Sequence, residues 1–268
     1  MAQGRNEIKA LLDDHGIRPK RSLGQNFLAD PNLVNRIVRT AGVASGDLVV
    51  EVGAGTGTLT RALAATGAAV IAYEVDSRLI PILEDVLADT DVELRAEDVT
   101  TVDLAATFTD GPWTMVANLP YNVGTPLILD TLRKAPAVTR LIVMVQREVA
   151  DRLVAVPGSK AYGVPSVVAA LHADTRLVFT VPPGVFFPVP DVESAVVEMV
   201  RKAAPAVADR AIEIAATAFQ QRRKMLRRSL SSLAPNPAEV LASAGIDETA
   251  RPEDLAAAAF VRLAEVMP

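Results

Sequence analysis

The amino-acid sequence predicts an α/β protein, a doubly wound, Rossmann-like sheet of seven strands followed by a small C-terminal helical domain. Three observations lead there. Between residues 47 and 200, short β-branched runs alternate with longer helical patterns, the signature of a parallel sheet flanked by helices. The first of those runs opens directly into a glycine-rich turn, EVGAGTG (51–57). After Lys202 the character changes to Ala-rich helical periodicity punctuated by Pro205, Pro235, Pro237 and Pro252, which sets the expected domains at 1–202 and 203–268.

Ahead of the sheet, Asp30 and Pro31 read as the cap and first residue of a helix with Leu33, Val34, Ile37 and Val38 facing inward. The strands follow as LVVEV (48–52), AVIAYE (69–74), VELR (92–95), WTMVAN (113–118), RLIVMVQ (140–146), RLVFTV (176–181) and SAVVEMV (194–200). The last two are joined by a connection too short for a helical crossover, so the sheet is expected to end in an antiparallel hairpin. In the second domain, a first long helix places Ile212, Ala216, Phe219, Leu226 and Leu230 on one stripe. Lys224, Arg227 and Arg228 then point away, with Arg222 and Arg223 on the flanks.

Of the 268 residues, 50% are hydrophobic and 22% charged, a balance that suits a folded protein and excludes a disordered tail or fibre. The longest charge-free run, residues 111–129, is broken by Pro112, Pro120 and Pro126, so no membrane span is expected. The opening segment MAQGRNEIKALLDDHG carries acids and no apolar signal core, which points to a cytoplasmic protein. With no cysteine and only His15 and His172, disulfides, thiolate zinc sites, a three-His metal site and a Cys nucleophile are excluded by counting. A monomer without a metal is expected. The net charge of −5 is uneven: residues 1–40 carry +3 and residues 201–234 carry +6, leaving −14 on the remainder. Two basic segments on an acidic body suit either a localised contact with a polyanion or a solvated basic face.

Gly53, Gly55 and Gly57 sit directly after a strand and before a helix expected from Thr58, where glycines permit a tight turn and close approach of a ligand to backbone N–H groups. Alone, such a turn is also an ordinary strand-to-helix connection. Its spacing is GxGxG, not the GxGxxG of dinucleotide sites, and with Glu51 two residues ahead it favours S-adenosylmethionine over a nicotinamide cofactor, with Gly53 and Gly55 as candidate contacts. Glu74 ends the second strand 19 residues after Gly55, where a carboxylate can accept from both hydroxyls of a ribose. Asp98 follows the third strand, where an acid can accept from an adenine amino group. Either acid alone would suit an ordinary surface; the ordered set carries the reading.

The fourth strand ends in Asn118-Leu119-Pro120-Tyr121, which matches the [DN]-x-P-[YF] signature of methyltransferases acting on exocyclic or amide nitrogens. An adenine N6 lone pair is delocalised into the ring and attacks a sulfonium methyl poorly until its hydrogens are held out of plane. The Asn118 side-chain oxygen and the Leu119 carbonyl are two acceptors able to do this. Pro120 fixes the turn, and Tyr121 offers a face for stacking a base.

Further motifs appear in the same order: Lys20-Arg21-Ser22-Leu23-Gly24-Gln25-Asn26-Phe27-Leu28, then Phe187-Pro188-Val189-Pro190 with Val192, Ser194 and Ala195, then AFQQRRKMLRRSL (218–230). With these the chain resembles the KsgA/RsmA family of small-subunit rRNA adenine dimethyltransferases over most of residues 18–233. The resemblance implies a class I S-adenosylmethionine-dependent methyltransferase with cofactor contacts at Asn26, Leu28, Gly53, Glu74, Asp98 and Asn118. It implies that Tyr121 and Phe187 sandwich the target adenine. The implied reaction is methyl transfer to N6 of two adjacent adenosines in the 3′-terminal hairpin loop of 16S rRNA, within the small ribosomal subunit. Ala54 departs from the proline common in that family's glycine turn. Arg222, Arg223, Lys224, Arg227 and Arg228, five cations within seven residues, are the candidate RNA contacts.

Two other functions compete with this one: a large-subunit (23S) rRNA adenine methyltransferase of the macrolide-resistance type, and a ribosome-assembly factor acting mainly by binding. A nicotinamide oxidoreductase is disfavoured by the GxGxG spacing and by NLPY. Asn26-Phe27-Leu28 would also suit plain packing ahead of a helix, and Phe186 and Phe187 a buried loop anchor. Trp113 and His172 read most simply as core and helix end.

Overall fold

The structure, a computed structural model of the chain, describes residues 2–20 and 23–267. Arg21 and Ser22 of the motif beginning at Lys20 lie outside the described residues. The chain divides into two compact units, Met1–Ala150 with Arg176–Val200, and Asp151–Thr175 with Arg201–Pro268.

The first unit contains, in chain order, α1 (Arg5–Asp14), β1 (Phe27–Leu28), α2 (Pro31–Ala41), β2 (Leu48–Val52), α3 (Thr58–Ala64), β3 (Ala69–Tyr73), α4 (Ile80–Leu87), β4 (Glu93–Arg95), α5 (Leu104–Thr107), β5 (Trp113–Asn118), α6 (Gly124–Lys134) and β6 (Val138–Gln146). The boundary after Ala150 falls within α7 (Arg147–Leu153), and β7 (Ala173–Val181), β8 (Phe186–Phe187) and β9 (Ser194–Arg201) complete the strands. α2 begins as its sequence dictates: Asp30 accepts from the N–H groups of Asn32 and Leu33, Pro31 needs no N–H partner, and Gly42 closes the helix at φ 61°.

The sheet runs β4-β3-β2-β5-β6-β9-β7. β2 pairs in parallel with β3 on one side and with β5 on the other, so the order reverses between β2 and β5 and opens a crevice at the strands' C-terminal ends. Residues from α2 (Leu33, Val34, Ile37) and α3 (Leu59, Leu63) bury one sheet face against Val49, Val70, Val116, Ile142 and Val196. On the other face α4 covers Ala72 with Leu83 and Leu87. Burial on both faces is why these strands read as continuous apolar runs.

The last strand in the chain, β9, is interior to the sheet and β7 forms its edge. β9 pairs antiparallel with β6, from Arg140 opposite Val200 to Gln146 opposite Ser194, and β7 lies beyond it. Its buried Glu198 pairs with Arg140 and Arg176. A second, two-stranded sheet pairs β1 with β8, Phe27 opposite Phe187 and Leu28 opposite Phe186. Strands of two residues carry no periodicity, so this pairing had no local signal.

The second unit packs α9 (Ala208–Phe219) against α8 (Val164–His172) and α12 (Ala257–Val266), with α10 (Leu226–Ser229) and α11 (Pro237–Ser243) beside them. It takes in residues 151–175, which the sequence reading placed in the first domain. The reason lies in side-chain packing: the Tyr162 ring meets Phe219 edge-on at 5.9 Å and its hydroxyl donates to the Leu255 carbonyl. The expected single long helix is interrupted. α9 ends at Phe219, Ala216 is exposed, and residues 220–225 form turns before α10. Here the Leu226 N–H donates to the Ala250 carbonyl and Arg222 reaches Glu253, partners outside the helix that override a helical propensity. Among the described residues no helix is long and apolar enough to cross a membrane.

Candidate active site

The crevice at the C-terminal ends of β2, β3, β4 and β5 is a cavity lined by residues from the segment ending at Leu28, the glycine turn, Glu74, Asp98 and NLPY. The glycine turn forms its floor. Gly53 and Gly55 have φ of 79° and 62°, a left-handed conformation that side chains resist. A Cβ on Gly53 would come within 3.4 Å of Pro120 Cδ, and one on Gly55 within 3.0 Å of the Phe27 ring, so the cradle exists because side chains are missing.

Glu74 follows β3 and is buried. Its Oε2 accepts from the Gly55 N–H at 2.8 Å and its Oε1 from the Asp76 N–H at 2.9 Å. Each oxygen keeps a lone pair for a ligand hydroxyl. Burial raises its pKa, and the backbone donors of Asp76 and Gly55 offset part of that rise. Asp98 is exposed and lines the cavity; its Oδ1 accepts from the Thr100 N–H and hydroxyl, which leaves Oδ2 as an acceptor for a ligand.

At the end of β5, Asn118 Nδ2 donates to the Asn26 carbonyl at 3.0 Å. A carbonyl can only accept, so this contact assigns the amide's orientation and leaves Oδ1 as the free acceptor. Leu119 presents its backbone alone: its side chain is buried and its N–H donates to the Met144 carbonyl. The Tyr121 hydroxyl bonds Ser194 Oγ at 2.8 Å, which fixes the ring beside the cavity, and burial raises its pKa.

Asn26, Gly53, Gly55, Glu74, Asp98, Asn118, Leu119 and Tyr121 therefore share one cavity. Leu28 does not line it. Its side chain is in the core, beside a smaller pocket with Glu51, Gly53, Thr58 and Asn118. Phe187 is also outside that lining, half-buried against Ile8, Leu12, Phe27 and Ile82. Of the five cations, Arg223, Lys224, Arg227 and Arg228 are exposed, but Arg222 turns inward to Glu253 at 2.6 Å and the Ser159 carbonyl at 3.0 Å. Arg222, expected on a flank of the cationic stripe and as a candidate RNA contact, is held instead by this charge-assisted bond within its own unit.

The sequence reading missed Asp76 and gave Gln25 and Ser194 no role. Asp76 is buried and held at about 2, chiefly by Arg78, and it accepts from Gln25 Nε2 at 2.9 Å. That bond ties the segment carrying Asn26 to the end of β3. The signal was present only as an acid two residues after Glu74.

Residues 16–268 match the family model described as Ribosomal RNA adenine dimethylase. The Ribosomal RNA small subunit methyltransferase A of Phenylobacterium zucineum is 45% identical over 262 residues, covering 96% of this chain and 91% of that protein. The protein of the same name from Rhodococcus erythropolis is 46% identical over 273 residues, covering 96% and 91%. Among solved structures, the 23S rRNA methyltransferase ErmE superposes with a TM-score of 0.69 at 26% identity, covering 90% of this chain and 99% of its own.

Proposed function

The chain belongs to the ribosomal RNA adenine dimethylase family, and from that premise we propose that it transfers methyl groups from S-adenosylmethionine to N6 of two adjacent adenosines in the 3′-terminal hairpin loop of 16S rRNA. The observation that carries the site assignment is the Asn118 amide, whose orientation is set by the Asn26 carbonyl beside a glycine-floored cavity. The cofactor, when bound, supplies an electrophilic methyl group. Gly53 and Gly55 would let its amino-acid and sugar portions approach the backbone, Glu74 would accept from the ribose hydroxyls and Asp98 from the adenine amino group.

Asn118 Oδ1 and the Leu119 carbonyl accept the two hydrogens of the target amine and so hold its lone pair toward the methyl donor. Tyr121 and Phe187 stack on the extruded base. After one transfer the amine keeps a single hydrogen, so the second proceeds with one of the two acceptors unpaired. Attack on the methyl group leaves N6 as a cationic ammonium, which is strongly acidic and loses its proton to water without a side-chain base, giving the neutral methylated amine. We assign catalysis to the first unit and RNA binding to the helical unit, through Arg223, Lys224, Arg227 and Arg228. The protein acts as a monomer, in the cytoplasm, on the small ribosomal subunit. Similarity favours this target over the large-subunit alternative, because the small-subunit relatives reach 45–46% identity and the 23S enzyme 26%.

The test is an assay on purified, unmethylated small and large subunits, read by mass spectrometry of the rRNA. Dimethyladenosine is expected in small-subunit rRNA, and Asn118→Ala should abolish most of it while leaving the folded protein's circular dichroism unchanged. Product confined to the large subunit would overturn the assigned substrate. Near-normal dimethylation by Asn118→Ala would overturn the amine-orienting role and return NLPY to being a turn.

A further inference from the structure

Gln3 precedes α1 and is buried, yet no motif includes it. Its main-chain N–H donates to Thr58 Oγ1 at 2.8 Å. Its side-chain amide makes a reciprocal pair with one residue: Nε2 donates to the Thr56 carbonyl at 3.0 Å, and Oε1 accepts from Thr56 Oγ1 at 2.7 Å. Thr56 lies between Gly55 and Gly57, both at positive φ, and Thr58 is the first residue of α3. Both threonines are buried.

A turn of alternating glycines is costly to hold in one conformation, because glycine surrenders more backbone freedom on ordering than any other residue; main-chain bonds from Gly57 to the Ala54 carbonyl and from Gly53 and Ala54 to the Tyr73 carbonyl meet part of that cost. Glu74 ties down its first half through the Gly55 N–H. The second half, Thr56 to Thr58, is tied down by Gln3. Without the Gln3 side chain the buried Thr56 hydroxyl and carbonyl lose their partner, a loss felt by the turn and not by the sheet, while the main-chain bond to Thr58 is kept. The segment is anchored on its other side too, since Arg5 donates to the Gly184 and Phe186 carbonyls at 2.6 and 2.9 Å.

We propose that Gln3 is a positioning residue for the cofactor: by clasping Thr56 and Thr58 it holds the glycine turn in its ligand-ready shape without touching the ligand. This inference rests on the reading that the turn binds S-adenosylmethionine. A preorganised turn binds more tightly because its ordering cost is met before the ligand arrives.

The experiment is calorimetric titration of S-adenosylmethionine into the full-length protein and into Gln3→Ala, Gln3→Glu, Thr56→Val and Gln3→Ala/Thr56→Val, well below each melting temperature. Gln3→Glu keeps the shape of the side chain but sets an acceptor against the Thr56 carbonyl, and it serves if Gln3→Ala does not fold. Each Gln3 variant should raise Kd by about tenfold. Gln3→Ala should cost less in the Thr56→Val background than in the unaltered protein, because Thr56→Val has already removed the hydroxyl bond of the pair and leaves only the bond to the Thr56 carbonyl. In steady state the KM for S-adenosylmethionine should rise while kcat at saturation stays within about twofold. A Kd unchanged in the folded Gln3 variants, with a lower melting temperature only, would overturn the proposal and leave Gln3 as a fold anchor. If instead the unaltered protein bound no S-adenosylmethionine, the assignment of the turn itself would fall.

Discussion

Glu51 should make this protein lose stability as pH rises toward neutrality, and Glu51→Gln should remove that dependence. The residue lies in the interior strand β2 and is 1% exposed. Loss of solvation pushes its carboxyl from 4.5 up to about 8, with the Thr60 hydroxyl opposing and the charge of Glu74 adding. Neither Glu51 Oε2 nor Thr60 Oγ1 has a hydrogen-bond partner among the described residues, so the opposition from Thr60 is small. Between 4.5 and about 8 the folded chain keeps a proton that the unfolded chain has released. Stability then falls by about 1.4 kcal/mol per pH unit, is unaffected by this group below 4.5, and levels off above about 8. From pH 5 to pH 7 the loss is roughly 3 kcal/mol, set against a total of about 5–15 kcal/mol. Glutamine has the same shape and does not titrate. Urea unfolding of the cofactor-free protein at pH 5, 6, 7 and 8 would measure this. The difference between variant and wild type should grow by about 3 kcal/mol from pH 5 to pH 7, other titrating groups cancelling. Parallel pH dependences, within about 0.5 kcal/mol, would mean that Glu51 is ionised or hydrated in the fold and carries no such dependence.

Two further outcomes follow from the geometry. Gly55→Ala places a Cβ within 3.0 Å of the Phe27 ring at a φ of 62°; it should weaken S-adenosylmethionine binding at least tenfold and lower stability by about 1–2 kcal/mol, and unchanged calorimetric affinity would refute the cradle. Charge reversal at Arg223, Lys224, Arg227 and Arg228 should flatten the salt dependence of small-subunit binding by roughly 0.7–0.9 in log–log slope for each phosphate that is no longer neutralised, whereas Arg222→Ala should lower the melting temperature of the helical unit and leave that slope intact; the reverse pattern would overturn the inward assignment of Arg222.

Much of the site was legible because parallel strands deliver their C-terminal ends to one edge. Once EVGAGTG, Glu74, Asp98 and NLPY each followed a recognisable strand, their convergence on a single crevice was a consequence of the topology and needed no knowledge of side-chain packing. The Asp30 cap was equally readable, its partners lying two and three residues away. These features depend on periodicity and backbone chemistry within a short window. Tertiary structure alone decided the rest. The Asn26 carbonyl that orients Asn118 is 92 residues from it in sequence, and Gln3 is 53 from Thr56. Neither pair has a sequence spacing that announces it, because a glutamine or a carbonyl acquires a role only when folding brings a partner of matching polarity within about 3 Å. Phe187 meets Phe27 through a two-residue ladder, too short for alternation to show. Arg222 looked like its neighbours until Glu253, 31 residues on, drew it inward and helped break the helix, since local propensity is worth less than a buried or bonded contact made across the fold.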